Sequence, residues 1–469
     1  MATITTKAGG SDADESSAPI GVSVQSRHRR RPVRRSTLPY LLLGLLFFGA
    51  YAVLTISRYR QEAALPPGTA LVLQEIHGYA SLSAPDISAH GAAVNALGLH
   101  FSPMLAVLTP LYWVFPNALT LLLVQAALFA GSVTIVAATA GRLWGGHGRT
   151  EARGRALFLG AAYGLAWGLQ NAVGTDFSTT CFAVPLVALS LRNILLRRWQ
   201  RAGLWALPLV FVREDLTLTV AVIGVVLVLQ RRWATGAMLT GFGVAALLIT
   251  VDWVIPHFSS TGGYSYWAQL PGGYLDLLSP LKLLHHLADV GAGTKLATLG
   301  YLLAVTGFLA LRSPLVLVAV PTLAWRFLAT HAAYWGTGGH DSSVLMPILF
   351  LALVDAVYRC EEYGRIGWLR RYATQSAVPV VAAVALTLCV SLHLPATDLF
   401  KPATYRAAVA QRAAVRPKPV PRPVPKPAPS PSTPAVPSTT PRPSATPHPS
   451  ATPHPAASKP VSPRSPVPR

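Results

Sequence analysis

Residues 38–56 read LPYLLLGLLFFGAYAVLTI, nineteen consecutive residues without a charge. As a helix they would extend about 28 Å at about 1.5 Å per residue, close to the roughly 30 Å hydrocarbon thickness of a bilayer. Ser57, Arg58, Arg60 and Glu62 follow, where a cleaved leader would carry small residues. The stretch therefore reads as an uncleaved anchor helix.

The pattern recurs along the chain. Further apolar blocks lie at approximately 117–141, 155–172, 178–196, 203–212, 216–230, 234–255, 296–311, 314–330, 344–358 and 375–394. Short basic or Gly/Pro-rich breaks separate them, as they separate spanning helices. The composition agrees: 52% hydrophobic, only 12% charged, mean hydropathy +0.43. A soluble chain of this length needs far more charge to cover its surface. The expectation is an all-α integral membrane protein with about eleven transmembrane helices, a count that splits 203–230 into two helices at Arg213-Glu214-Asp215. The segment 102–115, SPMLAVLTPLYWVF, is too short and too broken by proline to span, and reads as a re-entrant or interfacial helix.

Both ends differ from this membrane domain, which is assigned to 37–395. Residues 1–36 are polar, Ser-rich and basic, and read as a disordered arm. Residues 396–469 form a Pro-rich low-complexity tail. Its part from 416 onward is dominated by Pro, Ser, Thr, Ala and basic residues, with the repeat SATPHPSATPHP, and reads as extended polyproline-like coil.

A net charge of +21 raises the question of nucleic acid. The positions of the charges exclude it: they sit in the N-terminal arm, in short loops between apolar blocks and in the tail, as topology determinants and lipid-headgroup contacts do. With the basic N-terminus inside the cell, the arginine-bearing loops 142–155, 197–201, 231–232, Arg312 and 359–371 all fall on the cytoplasmic side. The expected location is the plasma membrane, with the N-terminus cytoplasmic and the C-terminus outside. Cys181, Cys360 and Cys389 are widely spaced and read as buried apolar residues. The sequence carries no signal for oligomeric state.

This topology gathers the polar residues on the outer side, in loops 57–102, 173–177, 256–295 and 331–343 and at the Arg213-Glu214-Asp215 turn. A charge at mid-bilayer costs about 2.5–3.5 kcal/mol, so three adjacent charges need partners, water or the interface. Arg213 could grip a phosphate while Glu214 or Asp215 acts on a hydroxyl or a metal; alternatively the three form a mutually paired structural turn. His100 and Ser102, in His100-Phe101-Ser102-Pro103, read either as phosphate-contacting groups or as an interfacial helix cap. His340-Asp341-Ser342 has the same two readings. Tyr264, in Gly262-Gly263-Tyr264-Ser265-Tyr266-Trp267, and the Pro271-Gly272-Gly273-Tyr274 stretch suit sugar stacking or the interfacial aromatic belt. No nucleotide-binding, zinc-protease or nucleophile-elbow pattern is present.

At these positions the chain resembles a family of bacterial polytopic membrane proteins known as a domain of unknown function. The resemblance covers roughly 65–360. It rests on His100-Phe101-Ser102-Pro103 with Leu111-Tyr112 and a long span, on Asp176-Phe177, on Arg213-Glu214-Asp215-Leu216 where the family has Lys-Glu-Asp-Leu, on Gly262-Gly263-Tyr264, and on His340 before a helix containing Pro347. The family in turn looks like the GT-C superfamily, membrane glycosyltransferases that use polyprenyl-phosphate sugars and keep an acidic catalytic residue in the first outer loop. The resemblance implies a GT-C-like arrangement, transfer of a sugar from a polyprenyl-phosphate donor to an extracytoplasmic acceptor, membrane lipids as partners, and a divalent metal such as Mg²⁺ as a candidate cofactor without a visible ligand set. The family's Asp-Leu-Gly-Ile-Phe-Asp-Gln motif is here Gly68-Thr69-Ala70-Leu71-Val72-Leu73-Gln74, which leaves Glu75 or Asp86 as the candidate base. Ser178 and Thr180 stand where the family has His and Glu. Two other readings stay open: a catalytically silent scaffold, and a lipid or solute transporter, although no internal repeat is seen.

Overall fold

The computed structural model describes residues 37–62, 64–89, 92–145, 149–270 and 279–405. The arm 1–36, the stretch 416–469, the Pro271-Gly272-Gly273-Tyr274 turn, His90 and Asp276 lie outside the described residues.

The described chain is built of helices, apart from one short antiparallel hairpin that the sequence reading did not include. Asp86–Ala89 pairs with Ala92–Asn95, Ile87 opposite Val94. Four helices are long and apolar enough to cross a membrane: Leu38–Gln61, Ala118–Trp144, Trp233–Phe258 and Gly367–Ser391. Shorter apolar helices cover Pro103–Val114, Thr179–Leu195, Leu216–Leu229 and Pro314–Leu328.

Several elements are interrupted where the sequence dictates. Pro256 and Pro379 each lack an N–H and crowd the carbonyl four residues earlier. Just ahead of them the helices widen into π turns, at Thr250–Val254 and Tyr372–Ser376. The apolar run 203–230 does break: a 3₁₀ turn at Leu207–Phe211 ends before Arg213, and a new helix starts at Leu216. Segment 102–115 forms a 3₁₀ turn, Pro103–Leu108, and a short helix, Thr109–Val114.

Two helical hairpins close through tight turns at Arg197 and Arg231, both left-handed at φ 56° and 59°. The N–H of Arg198 reaches back to the Asn193 carbonyl and that of Arg232 to Leu227, satisfying helix-end acceptors. Glycine adopts this conformation freely, whereas another residue costs about 1–2 kcal/mol. Arginine stands there nonetheless.

The centre of the bundle is Leu345–Tyr363, in which every residue from Leu345 to Val357 is buried. It packs against Ala118–Trp144, Ala183–Leu195 and the 3₁₀ turns at Leu309–Arg312 and Pro314–Ala319. An all-round apolar helix is stable only in such surroundings. At the periphery, Leu216–Leu229 and Trp233–Ile249 approach through Gly224, Gly236 and Gly243. A Cβ on Gly243 would lie 2.6 Å from the Ala221 nitrogen, the small-residue contact of membrane helices. Met238 in the second helix is 76% exposed and Trp253, in the π turn that continues it, 79%. In water each would forgo about 1.5–3 kcal/mol of burial; facing lipid, it does not.

Candidate functional site

The Asp176-Phe177 dipeptide anchors the helix Pro67–Ala80 that carries Glu75. Asp176 Oδ2 accepts the Gly68 N–H at 2.9 Å, and Thr69 Oγ1 accepts the Phe177 N–H at 2.9 Å. A Cβ on residue 68 would stand 2.4 Å from that aspartate oxygen, so any larger residue there would push the carboxylate away from the Gly68 N–H. Glu75 is 6% exposed, and its Oε1 accepts the Ser102 hydroxyl at 3.0 Å. Burial drives its carboxyl up to about 7, with Ser102 and His100 pulling the other way. It therefore exchanges its proton near neutrality.

Ser102 precedes the turn Pro103–Leu108, but its side chain makes no cap bond there. Ser102 and Pro103 do open this turn, as the cap reading has it, but the hydroxyl is committed to Glu75 rather than to a cap bond. His100 Nδ1 lies 2.7 Å from Glu214 Oε1, and its Nε2 lies 2.5 Å from the Tyr266 hydroxyl. Glu214 also accepts from Tyr264 Oη at 3.0 Å and from the Phe101 N–H at 3.1 Å. Burial opposes its ionisation, yet His100 and then Arg213 hold its carboxyl below the ordinary value. An ionised Glu214 fixes the proton on His100 Nδ1 and leaves Nε2 facing Tyr266. Burial, reinforced at Tyr264 by Glu214, raises both phenols, which stay protonated donors.

The Arg213-Glu214-Asp215 turn divides its labour. Arg213 Nε and Nη2 bind Asp215 at 2.6 and 2.8 Å, a bidentate pair that satisfies both partners. Arg213 Nη1 lies 3.8 Å from Asp341 Oδ1, and His340 Nε2 is 3.6 Å from the same oxygen. Burial holds His340 below its ordinary value against the pull of Asp341, so it is neutral at pH 7. The residue directly before the helix Leu345–Tyr363 is Val344, and no side chain caps that helix. Neither Asp341 nor Ser342 is its cap, which corrects that reading too.

The structure thus joins Glu75, His100, Ser102, Arg213, Glu214, Asp215, Tyr264 and His340 in one cluster. It sets Asp86 apart. Among the described residues that carboxylate makes no contact with the cluster; it opens the hairpin, and Gln74 ties the hairpin to the helix by accepting the Ser88 N–H. Ser178 and Thr180 serve local structure, the Ser178 side chain accepting the Thr180 N–H and sharing a hydrogen bond with its hydroxyl. Among the described residues, no three His, Cys, Asp or Glu side chains are grouped to hold a metal ion.

Sequence reading missed Arg326. It is 1% exposed, and its guanidinium donates to the Tyr334 and Gly336 carbonyls and to Ser342 Oγ at 2.9, 2.6 and 2.8 Å. The signal was present: a lone charge in the apolar run 314–330 demands a buried partner. Trp325 and Tyr334, beside it, continue the aromatic wall of Tyr264, Tyr266 and Trp267, with ring centroids 5.5–6.0 Å apart. Two helices begin at the cluster, Leu216–Leu229 and Leu345–Tyr363, directing positive dipole ends toward it.

Among known proteins, the family described as Predicted membrane protein (DUF2079) matches residues 70–416, extending past the 65–360 of the sequence resemblance. The crystal structure of ArnT from Cupriavidus metallidurans bound to undecaprenyl phosphate aligns over 78% of this chain and 77% of that one, at 11% identity and a TM-score of 0.42. No curated protein matches the chain. The family match takes in most of the membrane domain and every residue of the cluster, and the chain belongs to this family of predicted membrane proteins.

Proposed function

We propose that this protein is a GT-C-like membrane glycosyltransferase that moves a sugar from a polyprenyl-phosphate donor to a hydroxyl-bearing acceptor outside the cell. In this reading the acceptor oxygen attacks the sugar C1, the C1–O bond to phosphate breaks, Glu75 takes the hydroxyl proton, and polyprenyl phosphate leaves. The observation that carries it is Glu75: a carboxyl buried within the cluster, titrating near 7, so that at neutral pH it can accept a proton. The two helix starts and the neutral His340 suit the departing phosphate, with Arg213 and Arg326 behind them. The wall from Tyr264 to Tyr334 suits a sugar ring. Asp86 has no part in this reading, and Asp215 acts by holding Arg213. The protein lies in the plasma membrane with its N-terminus cytoplasmic and the cluster outward.

One observation favours a second reading, a catalytically silent scaffold. Arg213 is already neutralised by Asp215, and Gly68 and Leu73 replace the acidic residues that the family resemblance implies for the first loop. Proteoliposomes supplied with a panel of polyprenyl-phosphate-linked hexoses and pentoses separate the two. Transfer requires release of polyprenyl phosphate, lowered about 10²- to 10⁴-fold by Glu75→Gln. A well-folded wild-type protein that releases none with any donor favours the scaffold.

A further inference from the structure

Tyr79 lies one turn beyond Glu75 on the helix Pro67–Ala80. Residues four apart share a helix face, and a long side chain leans back over the preceding turn. The Tyr79 phenol and the Glu75 carboxyl accordingly lie within electrostatic reach of each other. The Tyr79 hydroxyl is buried, yet nothing bonds to it. Among the described residues it is the one buried phenol in that state. Tyr51 donates to the Gly164 carbonyl, Tyr163 shares a bond with Ser132, and Tyr264 and Tyr266 bond to Glu214 and His100. A buried hydroxyl without a partner is costly, so a polar group has to answer it at some stage.

Glu75 is the group in reach. Its Oε1 accepts the Ser102 hydroxyl, and its Oε2 has no donor among the described residues. One donor is enough while the carboxyl keeps its proton. An ionised carboxylate offers about four lone-pair sites and draws in further donors. The other ionisable groups around this helix do not supply one. His100 is committed to Glu214 and Tyr266, Asp176 holds Gly68, and Asp86 opens the hairpin. Of the packed segments, Pro103–Leu108 carries no ionisable residue and Ala118–Trp144 none before Arg142. Tyr112, on the packed helix Thr109–Val114, makes no bond to Glu75, and His77 of the same helix is exposed.

We propose that Tyr79 is the positioning residue of the base: when Glu75 ionises, the Tyr79 hydroxyl donates to its free carboxylate oxygen and fixes its orientation. Proton uptake by Glu75 releases that bond, and proton loss restores it. The phenol keeps its own proton throughout, because burial and then the neighbouring carboxylate raise it. The inference rests on the reading of Glu75 as the base, but its test needs no turnover.

Full-length protein in phosphatidylcholine nanodiscs is titrated with acid and base in the absence of any donor. The infrared spectrum of the wild type minus that of Glu75→Gln isolates the protonated-carboxyl band of residue 75, with an expected midpoint of about 7. In Tyr79→Phe, referenced to Tyr79→Phe/Glu75→Gln, the midpoint should rise by about one pH unit. That is a tenfold loss of acidity, since the ionised form has lost a donor. Thermal unfolding adds a sign that packing alone would not produce. Tyr79→Phe should exceed the wild type in Tm near pH 5, where the hydroxyl goes unanswered, and fall below it near pH 9. Tyr112→Phe removes the same atom from the packed helix and should leave the midpoint in place. An unmoved midpoint in Tyr79→Phe, or an equal rise in Tyr112→Phe, overturns the proposal. A wild-type band that never titrates overturns both the proposal and Glu75 as base, whereas a shifted midpoint in a protein that transfers no sugar sinks only the enzyme reading.

Discussion

Replacing Glu75 with glutamine removes a charge while keeping an oxygen to accept the Ser102 hydroxyl. The carboxyl moves from an ordinary value of 4.5 to about 7 on folding. Below pH 4.5 both folded and unfolded chains hold the proton, and the side chain costs the fold nothing. Between 4.5 and 7 the unfolded chain ionises while the folded one resists, so stability falls by about 1.4 kcal/mol per pH unit. Above 7 the full penalty of about 3 kcal/mol is in place. Glu75→Gln should therefore match the wild type near pH 4 and exceed it by about 3 kcal/mol at pH 8. At about 2.1 cal/mol/K per residue of unfolding entropy, that is about 4 °C in Tm. The assay is thermal unfolding in nanodiscs with a thiol-reactive dye, which reports exposure of the buried Cys181, Cys360 and Cys389. A variant no more stable than the wild type at pH 8, or equally stabilised at both pH values, would refute the reasoning. The predicted gain would instead mark Glu75 as a side chain retained for chemistry at the expense of stability.

Other consequences follow from the same contacts. Glu214→Ala strands His100, the Tyr264 hydroxyl and the Phe101 N–H and should destabilise the fold by about 2–4 kcal/mol, read as lower Tm and yield; an unchanged Tm would contradict its place as hub. Arg326→Met should cost about 1–3 kcal/mol through the orphaned Tyr334 and Gly336 carbonyls and shift the fluorescence of neighbouring Trp325. Gly243→Leu should lower Tm by several degrees, because its Cβ meets the Ala221 backbone, whereas Gly241→Leu, with open space around it, should be neutral. If the protein transfers sugar, kcat/KM should rise with pH through about 7 as Glu75 loses its proton, and a profile flat from pH 5 to 9 would exclude Glu75 as base.

Helices were the most legible feature of the sequence because each apolar block is long and its physical cause is local. The break at Arg213–Asp215 could be placed for the same reason: three charges cannot continue an apolar run. Glu75, His100 and Glu214 were legible as loop polars, but their meeting was not. It depends on Asp176 docking Gly68 and on Tyr264 reaching Glu214, contacts between residues 108 and 50 positions apart. Asp86 looked equivalent to Glu75 in sequence, and only the hairpin register separates them. No side-chain cap bond forms at Ser102 or Ser342, because more demanding partners, the buried Glu75 carboxyl and the Arg326 guanidinium, claim those hydroxyls. The π turns before Pro256 and Pro379 were readable in principle, since a proline inside an apolar run must disturb the turn ahead of it.

Sidedness decides whether the cluster meets extracellular substrates, and a cysteine-labelling measurement tests it directly. Leu82, 89% exposed beside the cluster-bearing helix, and Trp368, 71% exposed at the arginine-rich end, are replaced singly by cysteine, while the native thiols stay buried. In intact cells a membrane-impermeant maleimide should label the Leu82→Cys protein and reach Trp368→Cys only after permeabilisation. The opposite pattern would turn the cluster toward the cytoplasm and contradict the account.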